Sequence, residues 1–255
     1  MTMKLYSWDL SPYSARVRMQ IYAKGLNDIA IEPPPTYGTP KFYEDHPIGR
    51  LPLLEIDGEA ISESEVIAAF LEEIYPEPSL LGATPRENAH IRTLARIGDI
   101  YLLNNTFILA VQTRVLAAQA AVITGNEGIL ALLGGQLASN TKALDRMIGR
   151  DGFACLGRIT LADCALAPAL FFLENVLPGT GLADPIAANA NVAAYWAAMQ
   201  RQEHAARILV ELHRGLEERR ELIRSGAIEK TASRAAREAA ERAPSALAGN
   251  CSPAS

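Results

Sequence analysis

The stretch LSPYSARVR, Leu10 to Arg18, joins a short apolar run to a helical pattern. Ser11 followed by Pro12 is typical of a helix start, because serine is a good N-cap and proline fits the first helical position. A plain cap is the simpler interpretation. The free N–H groups of a helix N-terminus also stabilise anions, and a thiol placed there would ionise below its usual pKa of about 8.5. In that second interpretation the Ser11 hydroxyl donates a hydrogen bond to the thiolate.

The stretch HPIGRLPLL, His46 to Leu54, places Pro52 at the start of a predicted strand. On an edge strand the missing N–H of a proline does no harm, so an edge position explains this residue. The alternative is a cis bond between Leu51 and Pro52. Only about 5–6% of X-Pro bonds in folded proteins are cis, so this alternative needs support from elsewhere in the sequence.

The stretch ISESEVIAAFL, Ile61 to Leu71, begins a third helix-like pattern. Ser62 and Glu65 fit a capping box, which favours a solvated helix start. The neighbouring pair Glu63 and Ser64 also suits a clamp for an α-amino acid. Ser64 and the N–H groups of the helix end would then bind the carboxylate, and Glu63 would bind the ammonium group.

Around these stretches the periodicities predict one small α/β domain over residues 1–78. The expected order is strand, helix, strand, an irregular proline-containing arm at 32–40, then a hairpin and a helix. The hairpin spans Leu51–Ser62, with Asp57 and Gly58 as its turn pair. The closing helix is predicted over Ser64–Ile74.

The pattern changes after the proline-rich piece Pro76–Pro85, which is typical of an interdomain connection. From Arg86 onward the periodicities are helical, so an all-helical second domain is predicted over 86–225. The tail 226–255 is rich in Ala, Arg and Glu at first, and we predict it to be partly helical or disordered.

The amino-acid composition argues against several classes of function. The 255 residues are 49% hydrophobic and 21% charged, with a net charge of −5, as in an ordinary soluble globular protein. A mildly acidic balance argues against nucleic acid or an anionic membrane as the main partner. No run of about 18 apolar residues and no signal peptide are apparent. Three cysteines without metal-like spacing predict reduced thiols, no metal site and a cytoplasmic location.

Four stretches, in this order, resemble segments of the cytosolic glutathione transferases. SPYSARVR resembles the catalytic helix start of the serine-type classes, and most closely the zeta class, where Ser-Ser-Cys-Ser precedes Arg-Val-Arg. HPIGRLPLL resembles the segment before the family's cis-proline, and ISESEVIAAFLEEIYP its Glu-Ser motif and helix. RITLADCALAP resembles the family's buried N-capping box, with Thr160 as cap and Asp163 three residues on. Each motif alone is weak, but their order, with a domain change before the fourth, identifies the chain as a member.

This resemblance implies a thioredoxin-like first domain, an all-helical second domain, a homodimer and glutathione as cosubstrate. Ser11 takes the place of the thiolate-stabilising hydroxyl. Ser14 lies one turn inside the helix, where a supporting or purely structural role fits as well.

The resemblance also implies how glutathione is held. The backbone of Leu51 would pair with the cysteinyl part, just before a cis Pro52. Glu63 and Ser64 would hold the γ-glutamyl end. Arg50 occupies the place from which a Lys or Gln often reaches the glycine end.

The second substrate is expected against the first long helix of the helical domain, facing Ser11. Candidate contacts are Tyr13, Tyr101, Asn104, Asn105 and Ile108. Placement on a helix surface or an interface explains these residues equally well. Asp99 could reach the partner subunit's glutathione, whereas Phe107 and Trp196 are expected in the core.

Departures from the family pattern bear on the reaction. Tyr13 stands at the zeta-class cysteine position, which counts against a maleylacetoacetate-type isomerase. Position 11 is Ser rather than Cys, which argues against classes that use a cysteine nucleophile for thiol–disulfide exchange. His46 replaces the usual Asn and is interpreted as a turn residue.

The sequence therefore predicts a serine-type glutathione transferase that adds the glutathione thiolate to a small hydrophobic electrophile. Two other classes stay open. One is glutathione-dependent isomerisation, dehalogenation or aryl-ether cleavage. The other is a non-enzymatic binding protein on the same fold.

Overall fold

A computed structural model describes residues 2–113 and 127–226. Within them, four short strands form one mixed sheet in the order β2-β1-β3-β4. Strands β1 and β2 are parallel, and the other two pairs are antiparallel, with Leu5 opposite Leu54 in the centre. The strands are β1 Met3–Tyr6, β2 Ala30–Glu32, β3 Leu53–Ile56 and β4 Glu59–Ser62. Asp57 and Gly58, both with positive φ, form the predicted hairpin turn.

Helices α1 Pro12–Lys24, α2 Pro40–Asp45 and α3 Ser64–Ile74 accompany the sheet. The apolar faces of α1 and α3 pack on the central strands, because Val17, Ile21, Ile67 and Leu71 share one buried cluster with Leu5 and Leu54. Helix α1 ends at Gly25, whose left-handed backbone suits glycine.

Helix α2 was not predicted from the sequence. Thr39 caps it and Pro40 occupies its first turn, so the last proline of the irregular arm starts a helix instead of prolonging the loop. His46 ends this helix as its C-cap, which agrees with the expected turn residue.

The described residues from Pro85 onward are mainly helical. The helices are α4 Pro85–Arg96, α5 Asn104–Thr113, α6 Glu127–Met147, α7 Leu161–Val176, α8 Ala190–Met199 and α9 Glu203–Arg224. In α7, 14 of the 16 residues are buried, and α1, α4 and α9 pack around it. Trp196 lies in this core, as expected. The tail beyond residue 226 lies outside the described residues.

The start of α7 is the predicted buried capping box. Asp163 accepts hydrogen bonds from the Thr160 N–H at 2.8 Å, the Thr160 hydroxyl at 2.9 Å and the Ala154 N–H at 2.8 Å. Burial raises the pKa of Asp163 to about 6, although these hydrogen bonds act in the opposite direction. The box therefore ties the loop before α7 to the first turn of the core helix.

A π-helical segment, Ile97–Leu103, separates α4 from α5. The sequence predicted helix here but gave no sign of the wider turn. At Gly98 the segment approaches α7 so closely that a Cβ would lie 3.2 Å from the Ala165 carbonyl oxygen. Such turns are frequent at functional sites, and this one carries Asp99.

Two helical stretches, Pro85–Gln112 and Leu161–Gly179, reach the length and mean hydropathy of a membrane-spanning helix. Neither stretch is an unbroken apolar run of about 18 residues, because Asp99 interrupts the first and Asp163 and Glu174 interrupt the second. The apolar windows are 56% and 83% buried in the fold, so core packing accounts for their composition.

Candidate active site

A cleft of about 230 Å³ opens between the sheet domain and the start of the helical domain. It brings together most of the residues that the sequence motifs singled out. The lining residues are Tyr13, Ile48, Arg50, Leu51, Pro52, Ser62, Glu63, Ser64, Glu65, Arg96, Asp99, Ile100 and Asn104. Residues of three separate motifs therefore meet in one cavity, although the first motif lies about 35 residues from the second and about 50 from the third along the chain.

The Leu51–Pro52 peptide bond is cis, which confirms the less common of the two interpretations. Pro52 directly precedes β3, which lies between β1 and β4, so the edge-strand explanation does not apply. Leu51 and Pro52 both line the cleft, at the point where the chain enters the sheet.

Ser11 is the N-cap of α1, and its Oγ accepts a hydrogen bond from the Ser14 N–H at 3.2 Å. A hydroxyl that accepts such a bond still carries its own hydrogen. The capping and thiolate-stabilising interpretations are therefore compatible at this residue. Ser11 is half-buried and does not line the cleft itself, but Tyr13, two residues on, does.

Ser14 differs from Ser11 in its surroundings. Its side chain is completely buried, and its Oγ has no hydrogen-bond partner among the described residues. A buried hydroxyl cannot reach a molecule in the cleft, so the structure favours the purely structural alternative for Ser14.

Glu63 and Ser64 stand at the junction between β4 and α3. Glu63 is exposed and has a φ of 71°, an uncommon backbone conformation for a non-glycine residue. Such conformations cluster at ligand sites, where the surrounding structure maintains them. Ser64 follows as the first, buried residue of α3, so its N–H lies at the positive end of that helix.

Comparison with known proteins agrees with this geometry. Residues 5–79 match the family model of the glutathione S-transferase N-terminal domain, and residues 127–198 match that of the C-terminal domain. Maleylacetoacetate isomerase of Pseudomonas aeruginosa is 32% identical over 181 residues, which cover 68% of this chain and 82% of that protein. The chain belongs to the glutathione S-transferase family.

Two further proteins are similar to this chain. Maleylpyruvate isomerase of a Ralstonia species is 31% identical over 175 residues, covering 65% of this chain and 80% of that protein. A family member from Pseudomonas fluorescens, solved with bound glutathione, has a TM-score of 0.65 at 20% identity and covers 81% of this chain and 98% of its own. The predicted thioredoxin-like and helical domains are thus those of a glutathione S-transferase.

A buried cation lies beneath the cleft of this glutathione S-transferase. Arg16 of α1 is 1% exposed, donates to Asp99 Oδ2 at 2.6 Å and also pairs with Glu65. Burial raises the pKa of Asp99, and the Arg16 guanidinium opposes that shift. Arg16 was not predicted from the sequence, because nothing in the chain order indicates that α1, α3 and the π-helical segment converge there. Asp99, for which a contact across a dimer was considered, is engaged within its own chain.

Of the five residues expected on the acceptor side from the family resemblance, two line this cleft. Tyr13 and Asn104 line the cleft, whereas Tyr101, Asn105 and Ile108 do not. Tyr101 and Ile108 are exposed, and Asn105 donates to the Tyr101 carbonyl oxygen at 2.8 Å.

Phe107 was expected in the core, and the structure places it at the edge of this region. It is half-buried and packs against the helical core through Phe172. It also stacks on Tyr13, with ring centroids 6.2 Å apart. This aromatic contact joins a cleft residue of the first domain to α5, and only the tertiary structure shows it.

The charge of Glu63 can be tested directly. We expect Glu63→Gln to weaken glutathione binding about tenfold, because the amide keeps the size of the side chain but loses the charge-assisted bond to an ammonium group. Turnover at saturating glutathione should change little. Titration calorimetry measures the affinity. Glu59→Gln is the matched control, since Glu59 is an exposed carboxylate at the other end of β4. Equal affinities for the two variants would contradict the assignment.

Proposed function

We propose that the protein binds glutathione in this cleft and activates its thiol at the N-terminus of α1. The carrying observation is that the cis-proline, the Glu-Ser junction and Tyr13 line one cleft, and Tyr13 lies in the first turn of the serine-capped helix α1. The positive end of the α1 helix dipole and the Ser11 hydroxyl would both favour the thiolate over the thiol. Ser11 is the proposed catalytic residue.

The cleft suits the charges of the tripeptide. In this proposal Glu63 binds the γ-glutamyl ammonium group, and Ser64 with its N–H binds the neighbouring carboxylate. The backbone of Leu51, fixed by cis Pro52, pairs with the cysteinyl residue. Arg50 is exposed at the cleft wall and would reach the glycine carboxylate. These contacts leave the sulfur at the Ser11 end.

The proposed reaction is addition of the thiolate to a small hydrophobic electrophile. The thiol gives its proton to solvent, and a carbon–sulfur bond forms at the electron-poor carbon. An activated alkene then takes a proton at the adjacent carbon. Tyr13, with Phe107 behind it, and Asn104 are the proposed acceptor contacts. Holding both reactants together lowers the entropic part of the barrier. Such conjugation would detoxify electrophiles.

Glutathione-dependent isomerisation is the second candidate, and the relatives favour it. Two of them, at 32% and 31% identity, are isomerases of maleylacetoacetate and maleylpyruvate. In that reaction the thiolate would add to a cis double bond, the resulting single bond would rotate, and elimination would release the trans product with the thiol restored. Tyr13 at the zeta-class cysteine position counts against a close match in mechanism.

Glutathione consumption separates the two candidates. The purified protein would be incubated with glutathione and maleylacetoacetate, or with haloaromatic and aryl-ether electrophiles, while free thiol and products are measured. Conjugation consumes one glutathione for each product, whereas isomerisation consumes none. If calorimetry detects no glutathione binding, both candidates fail and the binding-protein alternative remains.

We also propose that the protein is a cytoplasmic homodimer. Exposed apolar side chains close to the cleft support this assembly: Val66 of α3 is 53% exposed and Ile100 is 41% exposed. Sedimentation of the purified protein checks the proposal, and Val66→Glu should shift a dimer towards the monomer.

A further inference from the structure

The guanidinium of Arg18 contacts the loop that leads to Ser11. Arg18 is 1% exposed and donates to the Ser7 hydroxyl and to the carbonyl oxygens of Trp8 and Asp9, the last two at 2.9 and 3.0 Å. The Trp8 carbonyl in turn accepts from the Ser11 N–H at 3.0 Å. Arg18 therefore holds the backbone turn that places the cap residue.

Glu211 of α9 holds Arg18 from the helical domain. Its Oε2 accepts from Arg18 Nε at 2.7 Å, and its Oε1 accepts from the Tyr22 hydroxyl at 2.8 Å. Burial and the bond to Glu211 raise the pKa of Tyr22 to about 12, so the phenol stays protonated and donates at neutral pH. Arg207 lies over the Tyr22 ring, 3.6 Å from its centroid. The Arg18 guanidinium is thus held by the loop before Ser11 on one side and by Glu211 on the other.

Gly215, one turn further along α9, touches the same loop directly. A Cβ at this position would lie 2.6 Å from the Leu10 backbone nitrogen and 2.9 Å from the Leu10 Cβ. Real Cβ atoms do not approach backbone so closely, so the loop sits against α9 only because residue 215 has no side chain. Leu10 is bonded to Ser11, and any shift of its nitrogen is passed to the cap.

We propose that α9 of the second domain positions the Ser11 hydroxyl through two contacts, the Glu211–Arg18 pair and the close approach at Gly215. This inference rests on the proposed role of Ser11. Gly215, Glu211 and Arg18 are positioning residues, since none of them lines the glutathione cleft. The helical domain thereby contributes to thiol activation as well as to the binding of the second substrate.

A purely structural role of α9 would change different measured quantities. Loss of domain packing lowers stability and all activities together, whereas displacement of Ser11 raises the pKa of the bound thiol. The exposed pair between Arg214 and Asp9 also joins α9 to the loop, but an exposed pair contributes little. The test therefore concentrates on the two buried contacts.

The decisive variant is Gly215→Ala, with Gly135→Ala of α6 as its matched control. Both replace a helical glycine by alanine, which favours the helix, but a Cβ at Gly135 meets nothing within 4 Å. Thiolate absorbance against pH gives the pKa of bound glutathione. We expect Gly215→Ala to raise that pKa and lower kcat/KM about tenfold at neutral pH, since small displacements of catalytic groups are costly. Glutathione affinity should stay within about twofold.

The same substitution in the Ser11→Ala background completes the test. If α9 acts through Ser11, Gly215→Ala has no further effect on the thiol pKa there. An undiminished effect, or identical behaviour of Gly215→Ala and Gly135→Ala, overturns the inference. Should Gly215→Ala fail to fold, Glu211→Gln tests the other contact with the same readouts. An unchanged Ser11→Ala enzyme would instead refute the proposed function, so the two failures are distinguishable.

Discussion

Ser11→Ala should lower kcat/KM by about 10²-fold, the usual effect of removing one hydrogen-bond donor from a developing or bound anion. Without the hydroxyl, the thiolate keeps the helix N-terminus but loses its direct donor. The pKa of bound glutathione should therefore rise. Glutathione affinity should change little, because the other contacts that we propose for glutathione lie on Leu51, Glu63 and Ser64. Steady-state kinetics and thiolate absorbance measure the two quantities.

The capping role of Ser11 has to be separated from this effect. Loss of the cap costs about 1 kcal/mol in an alanine variant and only a few tenths in a glycine variant. Ser11→Gly therefore removes the hydroxyl while largely keeping the helix start, and it should lose as much activity as Ser11→Ala.

Ser14→Ala is the matched serine control in the same helix. The Ser14 hydroxyl has no partner among the described residues and is buried, so activity should stay at the wild-type level. Full activity of the Ser11 variants, or a loss in the Ser14 variant equal to theirs, would remove the basis for the catalytic assignment.

Asp163→Ala should cause the largest loss of stability, about 3 kcal/mol or more in the free energy of unfolding. Its carboxylate is completely buried and accepts three hydrogen bonds, and each donor left unsatisfied in the core costs about 1–3 kcal/mol. Denaturant unfolding measures the loss. Asp184→Ala is the control: Asp184 is itself exposed and accepts from the Ile186 and Ala187 N–H groups, so its loss should cost under about 1 kcal/mol. Equal losses in the two variants would contradict the structural role of the box.

The pH dependence of that stability follows from the raised pKa of Asp163, about 6 in the folded protein. Below the unfolded pKa both states are protonated. Between that value and pH 6 Asp163 is protonated in the folded state but ionised in the unfolded state, which stabilises the folded state. This stabilisation is lost as the pH rises through 6. The stability of the wild type relative to Asp163→Asn should therefore increase between pH 7 and pH 5. A constant difference across this range would indicate an ordinary pKa for Asp163.

The helix caps and the hairpin turn of this protein could be predicted from its sequence. The cap at Ser11, the hairpin turn at Asp57 and Gly58, and the capping box at Thr160 and Asp163 all depend on residues within a few positions of one another. Their physical causes, such as a free N–H at a helix end or a positive φ in a turn, act over the same short distance. The resemblance to a family related these local features to one another and predicted the cis form of the Leu51–Pro52 bond.

What only the tertiary structure decided involves residues far apart in the chain. The wide turn at Ile97–Leu103, the convergence of Asp99 and Glu65 on Arg16, and the fit of Gly215 against Leu10 each require two elements to meet. Buried arginines and close backbone approaches leave no periodic signal, because their energies depend on partners that the chain order does not specify. The sequence thus predicted which residue could stabilise a thiolate, and only the tertiary structure showed that α9 of the helical domain packs against the loop before that residue.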